Sequence, residues 1–216
     1  MRELVIVGAG GFARETAAAA EATGVKVLGF LDDDPALHGT ARSGLPILGG
    51  AQLVHHLPDA AVVVCVGNPR DYASRARIVA RLGLPAERYA TVVHPAADIG
   101  AGSFVGPGSV LLAGVVLTAD VTVGAHVAVM PQAVLTHDDR VGDHATIASG
   151  ARLGGGAVLE AGSYVGAGAL LREGVTIGAR SLIGMGSVVL HDVPPDEIWA
   201  GNPARLIRPA ILEERA

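Results

Sequence analysis

The chain has 216 residues, half of them hydrophobic and 17% charged, with 30 glycines, a single cysteine and 3% aromatics. That is enough to bury a sizeable core in one or two domains, and so much glycine with so few aromatics suits narrow coils with tight corners better than a sandwich or a bundle. A formal charge of -5 without any run of Lys or Arg excludes nucleic acid or an anionic membrane surface as the main partner.

Leu4 to Val7 reads as a short apolar strand, Gly8-Ala9-Gly10-Gly11 as a glycine turn, and Phe12 to about Thr23 as an alanine-rich helix. The apolar run is too short for a signal peptide and no later run reaches transmembrane length, so the protein is expected to stay in the cytoplasm. A second strand spans Val25 to Leu31 and ends in Asp32-Asp33-Asp34, and a third spans Ala61 to Val66 and ends in Gly67-Asn68-Pro69. Between them, Pro46 to Gly50 looks like a strand end or loop and Gln52 to His56 a short helix. Tyr72 to Leu82 is a further helix, Thr91 to Val93 a last short strand, and His94-Pro95 a hinge. Alternating strands and helices imply a small parallel sheet. Cys65 lies in the apolar run Ala61 to Val66 and reads as a buried, inert thiol.

Gly8-x-Gly10-x-x-Ala13, with Asp32 nineteen residues after Ala13, is close to a dinucleotide fingerprint and by itself suggests NAD. The α/β part, however, has under about a hundred residues, half of a doubly wound fold. A mononucleotide sugar fits such a half domain. Gly8, Gly10 and Gly11 let backbone N–H groups approach a phosphate at the helix N-terminus. Asp32 and Asp33, after the second strand, are candidates for a sugar hydroxyl or base edge, with Gly67 and Asn68 after the third.

From Ile99 to about Pro194 an aliphatic residue returns at every sixth position: Ile99, Val105, Leu111, Leu117 and so on to Ile183 and Val189. A period of six fits neither a helix nor a flat strand; it divides into coils of three short sides, eighteen residues per turn, with one aliphatic side chain per side pointing inward. This is a parallel β-helix. Residues eighteen apart stack at the strand spacing of about 4.8 Å.

The two parts together resemble the sialic acid O-acetyltransferase and UDP-4-amino-sugar N-acetyltransferase family of bacterial glycan pathways. Its V-x-G-x-G-G-x-x-x-E signature is matched by Val5 or Val7 with Gly8, Gly10, Gly11 and Glu15. The resemblance implies a Rossmann-like nucleotide-sugar-binding half domain over residues 1–94. It implies a left-handed β-helix acyltransferase domain with a C-terminal cap over residues 95–216. Left-handedness comes from the resemblance alone, because parallel crossovers are ordinarily right-handed. The resemblance also implies acetyl-CoA as acyl donor, a small-molecule sugar acceptor and a homotrimer with its site between neighbouring β-helices.

In that family a His followed by an acidic residue, before an aliphatic-Gly-Asp step, is the general base with its orienter. Here the match is His137-Asp138, followed by Val141-Gly142-Asp143. Acyl transfer to a sugar amine or hydroxyl needs a base of near-neutral pKa beside the nucleophile, which histidine supplies. Eighteen residues beyond Thr136, His137 and Asp138 stand Gly154, Gly155 and Gly156, a window for an acyl-pantetheine arm with backbone N–H groups for the thioester oxyanion. Gly155 matches the family position whose amide does this.

Asp120 stacks one coil below Asp138, where two carboxylates disfavour joint ionisation, and Asp139 is a further candidate, so the carboxylate that serves His137 is left open. Family members commonly carry Asn where this chain has Met130, which bears on the identity of the sugar. His126 and His144 lie eighteen apart and invite a metal reading of γ-carbonic-anhydrase type. With His137, though, they do not match that pattern, and no metal is expected. Ala200-Gly201-Asn202-Pro203-Ala204-Arg205 resembles the tail that flanks coenzyme A in hexapeptide acyltransferases, bringing in Gly201, Pro203 and Arg205. Arg180 is a further candidate for coenzyme phosphates. Ala210 to Arg215 reads as a short terminal helix.

Overall fold

The computed structural model describes residues 3–210. In the N-terminal part, β1 (Leu4–Val7), β2 (Val27–Leu31), β3 (Ala41–Arg42), β4 (Leu45–Gly49) and β5 (Ala61–Val64) form a sheet in the order β3-β4-β2-β1-β5. Only the β3–β4 pair is antiparallel; β1, β2, β4 and β5 run parallel. All of β1 is buried, as expected of a parallel strand covered on both faces. The helix α1 (Gly11–Ala22) turns Ala13, Thr16, Ala17, Ala19 and Ala20 inward, a face of small side chains that lets it lie close to the sheet.

The segment read as a strand end or loop, Pro46 to Gly50, is β4. It packs tightly on β2, because a Cβ at Gly29 would stand 2.5 Å from the Pro46 carbonyl oxygen and the glycine has φ +150°. The short helix expected from Gln52 is a 3-10 helix, Ala51–His56, and α2 spans Ser74–Leu82.

Residues 92–209 build a left-handed three-sided prism from paired two-residue strands and a terminal hairpin. Val116–Leu117 pairs with Val134–Leu135, Thr122–Val123 with Arg140–Val141 and Ala128–Val129 with Thr146–Ile147, so each coil takes eighteen residues. The aliphatic column is buried from Leu111 to Val189. Ile99, in the first coil, is 38% exposed because nothing lies beneath it.

A second inward column, two residues before the aliphatic one, was not anticipated. It holds small residues such as Ser109, Val115, Ala133, Ala145, Ala151 and Ala157, and one charge, Asp139. Val92–Val93, expected in the N-terminal sheet, pairs instead with Val110–Leu111. His94 N–H donates to the Leu111 carbonyl, so His94-Pro95 already lies within a coil and is no hinge. At the far end, Glu197–Gly201 extends the same sheet and pairs antiparallel with Ala204–Pro209, covering the open edge. The helix expected from Ala210 lies outside the described residues beyond Ala210 itself.

That third sheet carries the N-terminal part. Val110, Leu112 and Met130 pack with β1 and α1. Arg75 of α2, 2% exposed, donates to the carbonyls of Val66, His126, His144 and Ala145 and to the Thr146 hydroxyl. Among the described residues no carboxylate pairs with it, and burial draws its pKa down to about 10. Cys65 is buried as expected, its thiol pushed up to about 12 by desolvation.

Candidate active site

Each corner of the prism places one residue in the left-handed region, usually glycine; where a side chain stands there it is Asp120, His126, Gln132, Asp138, His144 or Arg180. Asp and His tolerate this conformation better than branched residues. At the corner between Val134–Leu135 and Arg140–Val141, Asp138 has φ 64°, and the reversal brings two adjacent side chains together. His137 Nδ1 lies 2.8 Å from Asp138 Oδ2. That hydrogen bond, before any other influence, raises the His137 pKa above the ordinary histidine value. With Nδ1–H donating to the carboxylate, Nε2 is the nitrogen left to take a proton.

Nε2 points to the coil above. A Cβ built on Gly155 would stand 2.4 Å from it, so only glycine admits the imidazole there. Of the three glycines in the window, Gly154 N–H donates to the Leu171 carbonyl and Gly156 N–H to the His137 carbonyl. Those two are ladder groups and are not available to an oxyanion. The Gly155 N–H makes no hydrogen bond among the described residues.

The other two carboxylates considered for His137 point elsewhere. Asp120 turns down over the coil below, with Oδ1 2.0 Å from where a Gly102 Cβ would be. Asp139 is fully buried, accepts the Thr136 N–H on Oδ2 and the Ala157 N–H on Oδ1, both at 2.8 Å, and has its pKa pushed up to about 6 by desolvation.

Arg180 stands at a different corner and is held by Asp196, Nε to Oδ1 at 2.6 Å and Nη2 to Oδ2 at 2.5 Å. Arg205 Nη1 donates to its neighbour's carbonyl at Ala204, and Gly201 N–H donates to Ser187 Oγ in the hairpin that closes the prism. None of these is brought to the His137 corner. His126 and His144 are stacked, ring centroids 5.1 Å apart, at the corner that also carries Arg180, so they do not converge with His137. An open trough of about 580 Å³ runs along the face beginning at the His137 corner, over Thr122, Arg140, Val158 and Glu160. A more enclosed groove of about 450 Å³, between Arg70 and Tyr72 on one side and Tyr164, Met185 and Arg208 on the other, lies on the third face, away from that corner.

In the N-terminal part, the loops after β1, β2 and β5 meet at the carboxyl edge of the parallel sheet, where such folds take ligands. Gly8, with φ +105°, lets the turn pass the β5 end, since a Cβ would stand 2.8 Å from the Cys65 carbonyl oxygen. Gly10 precedes α1 and has open space where a Cβ would go. Asp32 braces the turn, accepting the Ala9 N–H at 2.9 Å and the Asp34 N–H at 3.0 Å. Asp33 faces away; it accepts the Ala51 N–H and pairs with Arg81. Gly67 faces Phe12, and Asn68 Oδ1 accepts the Arg70 N–H.

A model of the PglD N-terminal domain matches residues 3–82, and a model of the hexapeptide repeat of succinyl-transferase matches residues 140–167 and 165–191. Among solved structures, the acetyltransferase domain of PglB from Neisseria gonorrhoeae is 30% identical over 96% of this chain and 100% of its own, with a TM-score of 0.84. A second structure of that domain is in complex with acetyl coenzyme A. A variant of GDP-perosamine N-acetyl transferase from Caulobacter crescentus, in complex with CoA and GDP-perosamine, is 27% identical over 94% of this chain and 96% of its own, with a TM-score of 0.85. Comparison with curated protein sequences returns no significant match.

Proposed function

The chain belongs to the hexapeptide-repeat sugar acetyltransferases with a PglD-type N-terminal domain, whose acyl donor is acetyl-CoA, and from that premise we propose that it N-acetylates a nucleotide-linked amino sugar with His137 as general base. The observation that carries this reading is a single contact: an imidazole whose Nδ1 is tied to Asp138 and whose Nε2 lies against Gly155, a residue with an unpaired N–H. Acetyl-CoA supplies an activated acyl carbon. The sugar amine attacks that carbon while His137 Nε2 takes its proton, Asp138 holds the tautomer and the Gly155 N–H receives the oxygen that gains charge. The C–S bond then breaks, and coenzyme A leaves as a thiolate that takes the proton back from His137.

We assign residues 1–94 to the nucleotide sugar and residues 95–216 to acyl transfer, with Val92–Val93 as the seam between them. The turn Gly8, Gly10 and Gly11 would face the phosphates. Asp32 holds that turn in place, and Gly67 and Asn68 line its far side. Assembly as a homotrimer belongs to the same reading, supported by Phe104 and Leu170, 59% and 42% exposed on the two faces that the N-terminal part leaves uncovered. Light scattering should give three times the mass of the chain; a monomer at micromolar concentration would count against a shared site.

The decisive experiment measures thiol release from acetyl-CoA against a panel of UDP-, GDP- and dTDP-linked amino sugars. Acceptor-dependent release with one of them is expected, and its absence with every amine while a hydroxyl sugar reacts would overturn N-transfer. Gly10→Trp, which enters open space without backbone strain, should raise KM for the nucleotide sugar and leave KM for acetyl-CoA unchanged.

A further inference from the structure

Among the described residues, the ladder of the prism between Gly100 and Arg172 is interrupted at one corner. At each corner from Gly100 to Arg172 the residue that follows the inward aliphatic donates its N–H to the carbonyl seventeen residues on: Gly100 to Leu117, Thr118 to Leu135, Met130 to Ile147, Gly142 to Leu159, Gly154 to Leu171. Thr136 alone does not. Its N–H donates to Asp139 Oδ2 at 2.8 Å, and the Thr136 hydroxyl takes its place on the Leu153 carbonyl at 2.9 Å.

Asp139 is also unlike its column. Ser103 and Ser109 occupy equivalent inward positions, and each accepts the N–H eighteen residues on, at Val121 and Val127. Asp139 Oδ1 does the same for Ala157, but its second oxygen reaches back within its own coil. One carboxylate therefore joins the residue before His137 to the residue two after Gly155.

We propose that Asp139, with Thr136, is a positioning device for acetyl transfer. By pulling the Thr136 backbone off the ladder and bonding it to the coil that carries Gly155, it fixes where the His137 imidazole stands relative to the Gly155 N–H. Asp139 is fully buried and Thr136 partly so, and both act through the placement of His137. The inference rests on the assignment of His137 and Gly155 above. A carboxylate is needed because a serine has one oxygen and reaches one N–H, whereas two must be accepted in opposite directions. Threonine is needed because a carbonyl deprived of its ladder donor inside a packed coil must find another.

The test restores the ordinary ladder. Asp139→Ser keeps the bond to Ala157, as Ser103 and Ser109 do, and releases Thr136; Thr136→Val removes the substituting hydroxyl so that the N–H returns to Leu153. The double variant should fold, melt close to the parent and keep its KM for acetyl-CoA, while kcat falls about 10- to 100-fold, the scale of a misplaced reacting group. Thr136→Val alone should lower kcat less, and Thr136→Ser, which keeps a hydroxyl, should recover most of what Thr136→Val loses. If the double variant does not fold, this valine and serine comparison at Thr136 decides, and equal kcat in the two overturns the proposal. A folded double variant with the parent's kcat also overturns it, as does a loss that merely follows the folded fraction. His137→Ala is run alongside. If that variant keeps its activity the base itself is wrongly assigned; if it is inactive while the double variant is not, only the role of Asp139 falls.

Discussion

At one corner of the prism His137 and Asp138 have side chains 70% and 69% exposed, joined to each other, under a glycine. At another, His126 is buried and stacks on His144 with Tyr89 edge-on to it at 4.5 Å, and neither Nδ1 has a hydrogen-bond partner among the described residues. Arg75 reaches in behind them and donates to the backbone of both. The hydrogen bond to the Asp138 carboxylate raises the His137 pKa, whereas desolvation, with His144 and Arg75 adding to it, draws His126 down to about 4. The same residue type thus stands ready to take a proton where it has solvent and a counter-charge, the role proposed for His137, and packs as a neutral plate where the N-terminal part covers it.

The sharpest way to break this contrast is to remove each histidine in turn. His137→Ala should cost about 10² to 10⁴ in kcat, the usual worth of general-base catalysis, with an unchanged melting temperature. Gly155→Ala should approach the same loss, about 10²-fold, because its Cβ displaces the imidazole by about an ångström without touching the core. His126→Ala should do the reverse, lowering the melting temperature while the folded enzyme turns over as before. Steady-state kinetics and thermal melts on the three proteins check this.

A smaller effect lies in stability against pH. His126 has a folded pKa of about 4, below the 6.5 of an unfolded histidine, so its contribution is fully present above 6.5 and is lost as pH falls towards 4. Asp139 has the opposite sign. Its folded pKa of about 6 exceeds the ordinary 3.8, so its ionised form is a cost that sets in as pH rises from about 4 to 6. The two act in opposite directions over the same pH range in the parent protein. Melts between pH 7 and pH 4 should show Asp139→Ser losing stability on acidification more steeply than the parent, and His126→Gln less steeply. Parallel curves for all three would refute both assignments.

The least effect is expected at Asp138. Asp138→Asn replaces the charged acceptor of the hydrogen bond that raises His137 with a neutral amide, so the limb on which kcat rises with pH should move towards lower pH. Above that limb turnover should fall by about tenfold or less, since an orienting group is not the proton acceptor. An unmoved limb would mean that Asp138 does not set the pKa of the base.

Much of this was legible in the sequence, for a physical reason. A hexad repeat is one local arrangement made again and again, so the column from Leu111 to Val189 and the eighteen-residue register could be read by counting, and the same count put Gly155 above His137. The strand, glycine turn and helix at the N-terminus were legible likewise, because each is fixed by residues close in the chain. Counting failed wherever one position departs from the repeat. It marked all of Gly154, Gly155 and Gly156 as exposed donors, whereas the outer two are bound into the ladder by Leu171 and His137 carbonyls. It left three carboxylates open for His137, because the rotation of Asp120, Asp138 and Asp139 about their corners has no signature in spacing. It offered Arg180 to a coenzyme, though Asp196 holds it.

Two features belong to the tertiary structure alone. Arg75 is an ordinary helix residue in sequence, and its partners on the prism lie 51 to 71 positions away: the carbonyls of His126, His144 and Ala145, alike in every coil, and the Thr146 hydroxyl. Thr136 and Asp139 look like two more polar residues in a turn, and their departure from the ladder appears only when the carbonyl of Leu153 is stacked above them. Periodicity determined the prism and placed the candidate base. Which N–H groups were left without a carbonyl depended on side chains meeting across coils, and that only the folded chain decides.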